Sequence, residues 1–188
     1  MTLNAYLADA ARLLGETVEA DLEVPVEAAI TVITAALGHD KPLLICGNGG
    51  SAADASHIAG ELVGCYSIER RALKAIALGT DPAVLTAVSN DIAFAAAFAR
   101  EVAALGDAGG VVLGISTSGE SENVFQALKQ ARLMAMTSIA LTGAGGGRLA
   151  AASDILIAVP SRATPRIQEI HTCLYHYICE QVEARIAG

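Results

Sequence analysis

No stretch of this sequence reaches the roughly 18 uninterrupted apolar residues that a membrane-spanning helix requires. Its start, MTLNAYLADAARLLGETVEADLE, lacks the basic segment followed by an apolar one that marks a secretory signal. A cytoplasmic protein with no membrane partner is expected. Basic residues are scarce: 12 Lys and Arg stand against 20 Asp and Glu, the net charge is -8, and no basic run exceeds Arg70-Arg71. Nucleic acid is therefore not expected as a partner. Cys46, Cys65, Cys173 and Cys179 form no CxxC pair and no zinc-ribbon spacing, so reduced, mostly buried thiols are expected. Internal repeats, low-complexity tracts and linkers are also missing, and residues 1–188 read as a single domain. Charged residues make up only 17% against 53% hydrophobic, a surplus of apolar surface that points to burial between subunits.

What the chain does have is periodicity. Leu3, Tyr6, Leu7, Ala10, Leu13, Leu14 and Val18 recur at helical spacing, and VEAAITVITAALG after Pro25 gives a second helix closed by Gly38. Short apolar runs follow, PLLICG (42–47), KAIALG (74–79), GVVLGIS (110–116), TSIALTG (137–143) and DILIAVP (154–160), separated by helix-length segments. Continuous apolar strands alternating with helices predict a parallel sheet covered on both faces. The fold class is α/β, a doubly wound, flavodoxin-like three-layer arrangement preceded by a helical pair. The last segment, TPRIQEIHTCLYHYICEQVEARIAG, predicts one long C-terminal helix with Thr164 as N-cap and Pro165 at its first position.

Two segments share the order strand, small polar loop, helix: LLICGNGGSAADAS and VVLGISTSGESENV. Each loop falls at the carboxyl end of a parallel strand, where open α/β sheets bind ligands. Glycines let the backbone approach, and a helix N-terminus supplies partial positive charge. Ser116, Thr117, Ser118 and Ser121 add four hydroxyls, where capping alone needs one. A phosphate is the expected guest. Neither loop holds a lysine or matches a triphosphate or dinucleotide pattern, and GAGGGR (143–148) lacks the GxGxxG spacing. The expected ligand is a small phosphorylated metabolite.

On the helix opened by the first loop, His57 and Glu61 stand four residues apart, about 40° around the axis and roughly 6 Å along it. They share a face. Their neighbours are almost all apolar or small, which suggests a helix with little solvated surface, where a carboxylate needs a partner. The last helix offers Gln168, Glu169, His171 and His176. Gln168 and His176 are about 80° and roughly 12 Å apart on an ideal helix, so spacing alone does not place them on one ion.

In order, CGNGGSAADASHIAGELVG, AIALGTDPAVLTAVSND, GGVVLGISTSGESENV and RIQEIHTCLYHYICEQVE resemble, over nearly the whole chain, the sugar isomerase (SIS) domain family and within it the phosphoheptose isomerases. The resemblance implies a cytoplasmic homotetramer that converts D-sedoheptulose 7-phosphate to D-glycero-D-manno-heptose 7-phosphate, with one zinc ion per subunit. Carried onto this sequence, it implies substrate contacts at Asn48, Gly49, Gly50, Glu61, Asn90, Asp91, Ser116, Thr117, Ser118, Ser121 and Gln168. It further implies zinc held by His57, Glu61, Gln168 and His176, with Glu61 and His176 as the acid/base groups of an enediol mechanism.

This chain departs from the family pattern at three places. Cys65 stands where an arginine is usual, Pro165 replaces an alanine or aspartate, and Glu120 brings a negative charge beside the serine loop. These bear on substrate choice and phosphate affinity more than on fold. Two rival readings remain at this level: a different sugar phosphate as substrate, or a non-catalytic SIS-domain binding protein resembling the DnaA initiator-associating protein. Retention of both Glu61 and His176 favours the enzyme.

Overall fold

The computed structural model describes residues 1–188. The two segments of helical apolar periodicity become α1 (Leu3–Val18) and α2 (Glu23–Gly38). Then follow β1 (Leu43–Gly47), α3 (Gly50–Val63), β2 (Ala75–Ala77), α4 (Pro82–Asp91), α5 (Ala97–Leu105), β3 (Val111–Ser116), α6 (Glu122–Leu133), β4 (Thr137–Thr142), α7 (Leu149–Ala152), β5 (Ile155–Ala158) and α8 (Thr164–Ala187). All five expected strands form, within the apolar runs that predict them. They pair in parallel in the order β2-β1-β3-β4-β5. In this order the chain reverses direction across the sheet between β1 and β3, where a crevice opens at the strands' carboxyl ends.

Alternation along each strand divides the core between two faces. Leu43 and Ile45 of β1 point to one side with Ile30, Ile33 and Leu37 of α2, Ile58 and Leu62 of α3, and Ile178 and Val182 of α8. Leu44 and Cys46 point to the other with Phe98 and Val102 of α5, Val124 and Leu128 of α6, and Leu149 of α7. Gly114 of β3 has to be glycine for this packing, since a side chain there would run into Val124 and Leu128. α1 buries only Leu13 and is tied to α8 through Arg166, which lies 3.7 Å over the Tyr6 ring and 3.0 Å from Asp9.

Two helix starts differ from expectation. α2 begins at Glu23, so Pro25 is its third residue rather than its herald; the first-turn N–H groups have no intrahelical acceptor, and a missing one is tolerated there. α8 begins one residue earlier than expected, with Ala163 at the N-cap and Thr164 already helical, so Thr164 makes no cap and Pro165 is second. The same first-turn tolerance accommodates it.

Candidate functional site

The loop after β1 enters α3 through Gly49, whose φ of +58° lies in the region that glycine adopts at least cost. Asn48 and Asn123 exchange both amide hydrogen bonds, each 2.9 Å, and the buried Asn123 Oδ1 also accepts the Val124 N–H at 3.0 Å. This pair joins the loop after β1 to the first turn of α6. Asn48 is exposed, and its second amide N–H and second oxygen lone pair stay open to a ligand. At Gly50 a side chain would collide with the Gln168 carboxamide, so α8 sets Gln168 over the first turn of α3.

The loop after β3 gathers its hydroxyls. Ser116, buried at the strand end, has its Oγ 2.9 Å from Ser121 Oγ and 3.5 Å from Ser118 Oγ. Ser121 occupies the N-cap of α6 but makes no side-chain capping bond. Ser118 Oγ accepts the Glu120 N–H at 3.2 Å, and the Thr117 carbonyl accepts the Gly143 N–H at 3.1 Å, joining this loop to the one after β4. Glu120 turns its carboxylate toward the Arg148 N–H, 3.2 Å away. Its charge thus has a partner in the loop of residues 143–148.

His57 and Glu61 do share a face of α3, with Nε2 and Oε1 3.0 Å apart. His176 approaches from α8, its ring centroid 5.0 Å from that of His57. Donor atoms of His57, Glu61 and His176 all lie within 4.8 Å of one another. His57 Nδ1 meets the Tyr175 hydroxyl at 2.9 Å, which fixes the ring and leaves Nε2 aimed at Glu61. Burial pushes the Tyr175 phenol above its ordinary range, so it stays a neutral hydrogen-bonding group. Burial likewise raises the carboxyl of Asp54, one turn before His57, partly offset by the imidazole charge. Two imidazoles and a carboxylate are a donor set that zinc accepts. Gln168 lies against Gly50, in the first turn of the helix that carries His57 and Glu61.

The expectation that α3 has little solvated surface is corrected: the His57 side chain is 44% exposed and that of Glu61 23%. The small residues around them do line a packed face, but the opposite face of α3 has no covering element within this chain. Asn90 and Asp91, at the end of α4, are exposed, and the Asn90 amide donates to the Asp91 carboxylate at 2.7 Å. Neither side chain makes a hydrogen bond to another candidate residue. α4 does approach the first loop at Leu85, which with Gly47, Asn48, Gly49 and Phe94 lines a cavity of about 180 Å³.

Two other residues of α8 considered for the site do different work. His171 is buried, its Nε2 3.1 Å from the Thr142 carbonyl, and burial pushes its pKa down to about 4. Glu169 pairs with Arg166 and accepts the Tyr6 hydroxyl at 3.1 Å. All four cysteines are free, as expected, but only Cys46 and Cys179 are buried, with thiols pushed up to about 12, while Cys65 and Cys173 are exposed. Sequence reasoning missed Asn123 and Tyr175. An asparagine in the first turn of α6 and a tyrosine beside His176 were visible, but their partners lie 75 and 118 residues away.

Residues 5–143 match the family model of the SIS domain. A phosphoheptose isomerase of Geotalea daltonii is 46% identical over 173 residues, which cover 92% of this chain and 90% of that protein. The solved phosphoheptose isomerase of Neisseria gonorrhoeae superposes with a TM-score of 0.90 at 43% identity and covers 97% of both chains. That of Francisella tularensis gives 0.93 at 36% identity, covering 98% of this chain and 100% of its own. The family-model match ends before α8, but coverage this complete takes that helix in. The chain belongs to the SIS domain family and, within it, to the phosphoheptose isomerases, which are aldose-ketose isomerases.

Proposed function

We propose that this chain converts D-sedoheptulose 7-phosphate to D-glycero-D-manno-heptose 7-phosphate, with Glu61 and His176 moving the protons. The observation that carries the reading is the gathering of His57, Glu61 and His176 within 4.8 Å, on helices adjoining two glycine- and serine-rich loops at the carboxyl ends of β1 and β3. Ser116, Thr117, Ser118 and Ser121, with the N-terminus of α6, receive the phosphate. Gly49 and Gly50 let the sugar approach the backbone, Asn48 holds the two loops together, Gln168 contacts the sugar over Gly50, and Asn90 and Asp91 reach its outer hydroxyls.

Glu61 removes the proton from C1 of the ketose, and the C–H electron pair forms the C1–C2 double bond of a cis-enediol as the C2 oxygen gains a proton. His176 carries the proton between O1 and O2. Return of the proton to C2, as O1 gives up its own, leaves the aldehyde at C1. A carboxylate has two oxygens, so Glu61 can act as base through one oxygen while the other stays held in the cluster with His57 and His176. Zinc would be held by His57, Glu61, His176 and Gln168, and when bound would polarise the sugar carbonyl and stabilise the enediolate.

A homotetramer is proposed as the working form, because Leu3, Leu7, Leu14 and Val18 leave an exposed apolar stripe along α1. No helix is long and apolar enough to cross a membrane, which fits action on a dissolved sugar phosphate in the cytoplasm. Incubation with sedoheptulose 7-phosphate, followed by NMR, is expected to show the aldose. Treatment with a chelator is expected to abolish its formation, and added zinc to restore it. No aldose from folded, zinc-supplemented protein would refute the substrate, and full activity of metal-free protein would refute the zinc.

A further inference from the structure

The turn that follows α3 is fastened to α8 by a buried ion pair. Glu183 is fully buried, the Arg70 side chain is 3% exposed, and Arg70 Nη2 lies 3.1 Å from Glu183 Oε1. The carboxylate also accepts the backbone N–H groups of Tyr66 at 2.9 Å, Ser67 at 2.7 Å and Ile68 at 2.9 Å, and the Ser67 hydroxyl at 3.1 Å. Burial alone would push this carboxyl up, but the three N–H groups and the Ser67 hydroxyl together hold it below its ordinary range, so it stays charged.

Arg70 reaches back from this anchor into α3. Its Nη2 donates to the main-chain carbonyl of Glu61 at 2.9 Å, and its Nη1 to the carbonyls of Gly64 at 2.8 Å and Arg71 at 3.1 Å. The last carbonyls of a helix lack intrahelical partners, and here one of them belongs to Glu61 itself. On the other side, Glu183 stands seven residues after His176, two turns along the same face of α8. The turn it holds also carries Tyr66, whose ring centroid is 6.0 Å from that of His176. One ion pair thus touches the backbone of the proposed base, the backbone of the tyrosine whose ring lies beside the proposed acid, and the helix that carries that acid.

We infer that Arg70 and Glu183 are positioning residues for the isomerisation, setting Glu61 and Tyr66 in register with His176. The inference rests on the reading of Glu61 and His176 as the acid/base groups. Stability alone is a weak reason for such a pair, since well-packed apolar residues of similar volume often hold a core as well or better. What an apolar replacement would not reproduce is the direction of the bonds: a planar fork that reaches Glu183, Glu61 and Gly64 at once.

The test uses Arg70→Lys, which keeps the charge opposite Glu183 but replaces the fork with a single ammonium group. Turnover of the folded variant is expected to fall about 10- to 100-fold, the range seen when groups supporting an active site are removed, with KM within a few fold. In ¹⁵N-histidine NMR spectra the signals of His57 and His176 are expected to move, while those of His39 and His171 stay. The NMR measurement needs no turnover, so an inactive wild type would refute the isomerase reading and leave the pair to be judged on the imidazole signals. Wild-type turnover, a loss confined to KM, or unmoved His57 and His176 signals would overturn the positioning role. Should Arg70→Lys fail to fold, Glu183→Gln replaces it with the same expectations; failure of both to fold would make the pair structural and also overturn the inference.

Discussion

α3 and α8 meet through packed apolar side chains and directional bonds, whereas α4, on the other side of the first loop, buries no residue at all. Two carboxylates show the difference. Glu61 is held through its side chain by His57 and through its backbone by Arg70; Asp91 is exposed and bonded only to its neighbour Asn90 among side chains. Groups that move protons must be placed within a fraction of an ångström before the substrate arrives, and the chain supplies that order itself. The role proposed for Asn90 and Asp91, recognition of outer hydroxyls, needs no such order in advance, because a bound ligand can supply it.

The largest expected effect breaks the rigid half. Glu61→Gln keeps shape and a hydrogen-bonding oxygen but removes the basic carboxylate, so turnover should fall about 10²-fold or more while affinity for the ketose phosphate, measured by calorimetry, stays within a few fold. Wild-type turnover would refute the role, and joint loss of binding and zinc would recast Glu61 as chiefly a metal ligand. Tyr175→Phe removes only the hydroxyl on His57 Nδ1; a loss of about 10-fold in turnover and in zinc affinity is expected, and no change in either would make that bond incidental.

A third test concerns the stability of the α8 contact with the sheet. His171 has a pKa lowered by burial from 6.5 to about 4, so the unfolded chain binds the proton more readily between those values. Its neutral form contributes stability that is complete above pH 6.5 and is lost as pH falls from there through 4, to a total of about 3 kcal/mol. His171→Gln keeps an N–H for the Thr142 carbonyl and is expected to flatten this part of the acid unfolding curve. An unchanged curve would mean that other groups set it. The smallest effect belongs to α4: Asn90→Ala should leave stability within about 0.5 kcal/mol and weaken ketose phosphate binding a few fold. If it reduced turnover as much as Glu61→Gln, the contrast between the two regions would fail.

The same contrast governs what could be read from the sequence. Strands, helices and the two loops announce themselves locally, because continuous apolar runs, helical periodicity and clustered small polar residues each act within a few positions. His57 and Glu61 were legible as a pair for the same reason, one turn apart. The convergence of His176 on them was carried by resemblance and not by spacing. Asn123, Tyr175, Arg70 and Glu183 were not legible, since each acts through a partner far along the chain, and a polar residue on a helix looks the same whether it meets water or a buried amide. The exposure of His57 was also misread: small neighbours show that a helix packs closely, not on how many sides.

The central claim, that a carboxylate on α3 shuttles a carbon-bound proton, is tested most directly by isomerisation of sedoheptulose 7-phosphate in D₂O, with deuterium at C2 of the aldose followed by NMR. The account predicts deuterium at C2 with the wild-type protein and neither aldose nor C1 exchange, within the same time, with folded Glu61→Gln. Aldose formed by Glu61→Gln at the wild-type rate, or deuterium absent both from C2 of the aldose and from C1 of the recovered ketose after many wild-type turnovers, would contradict it.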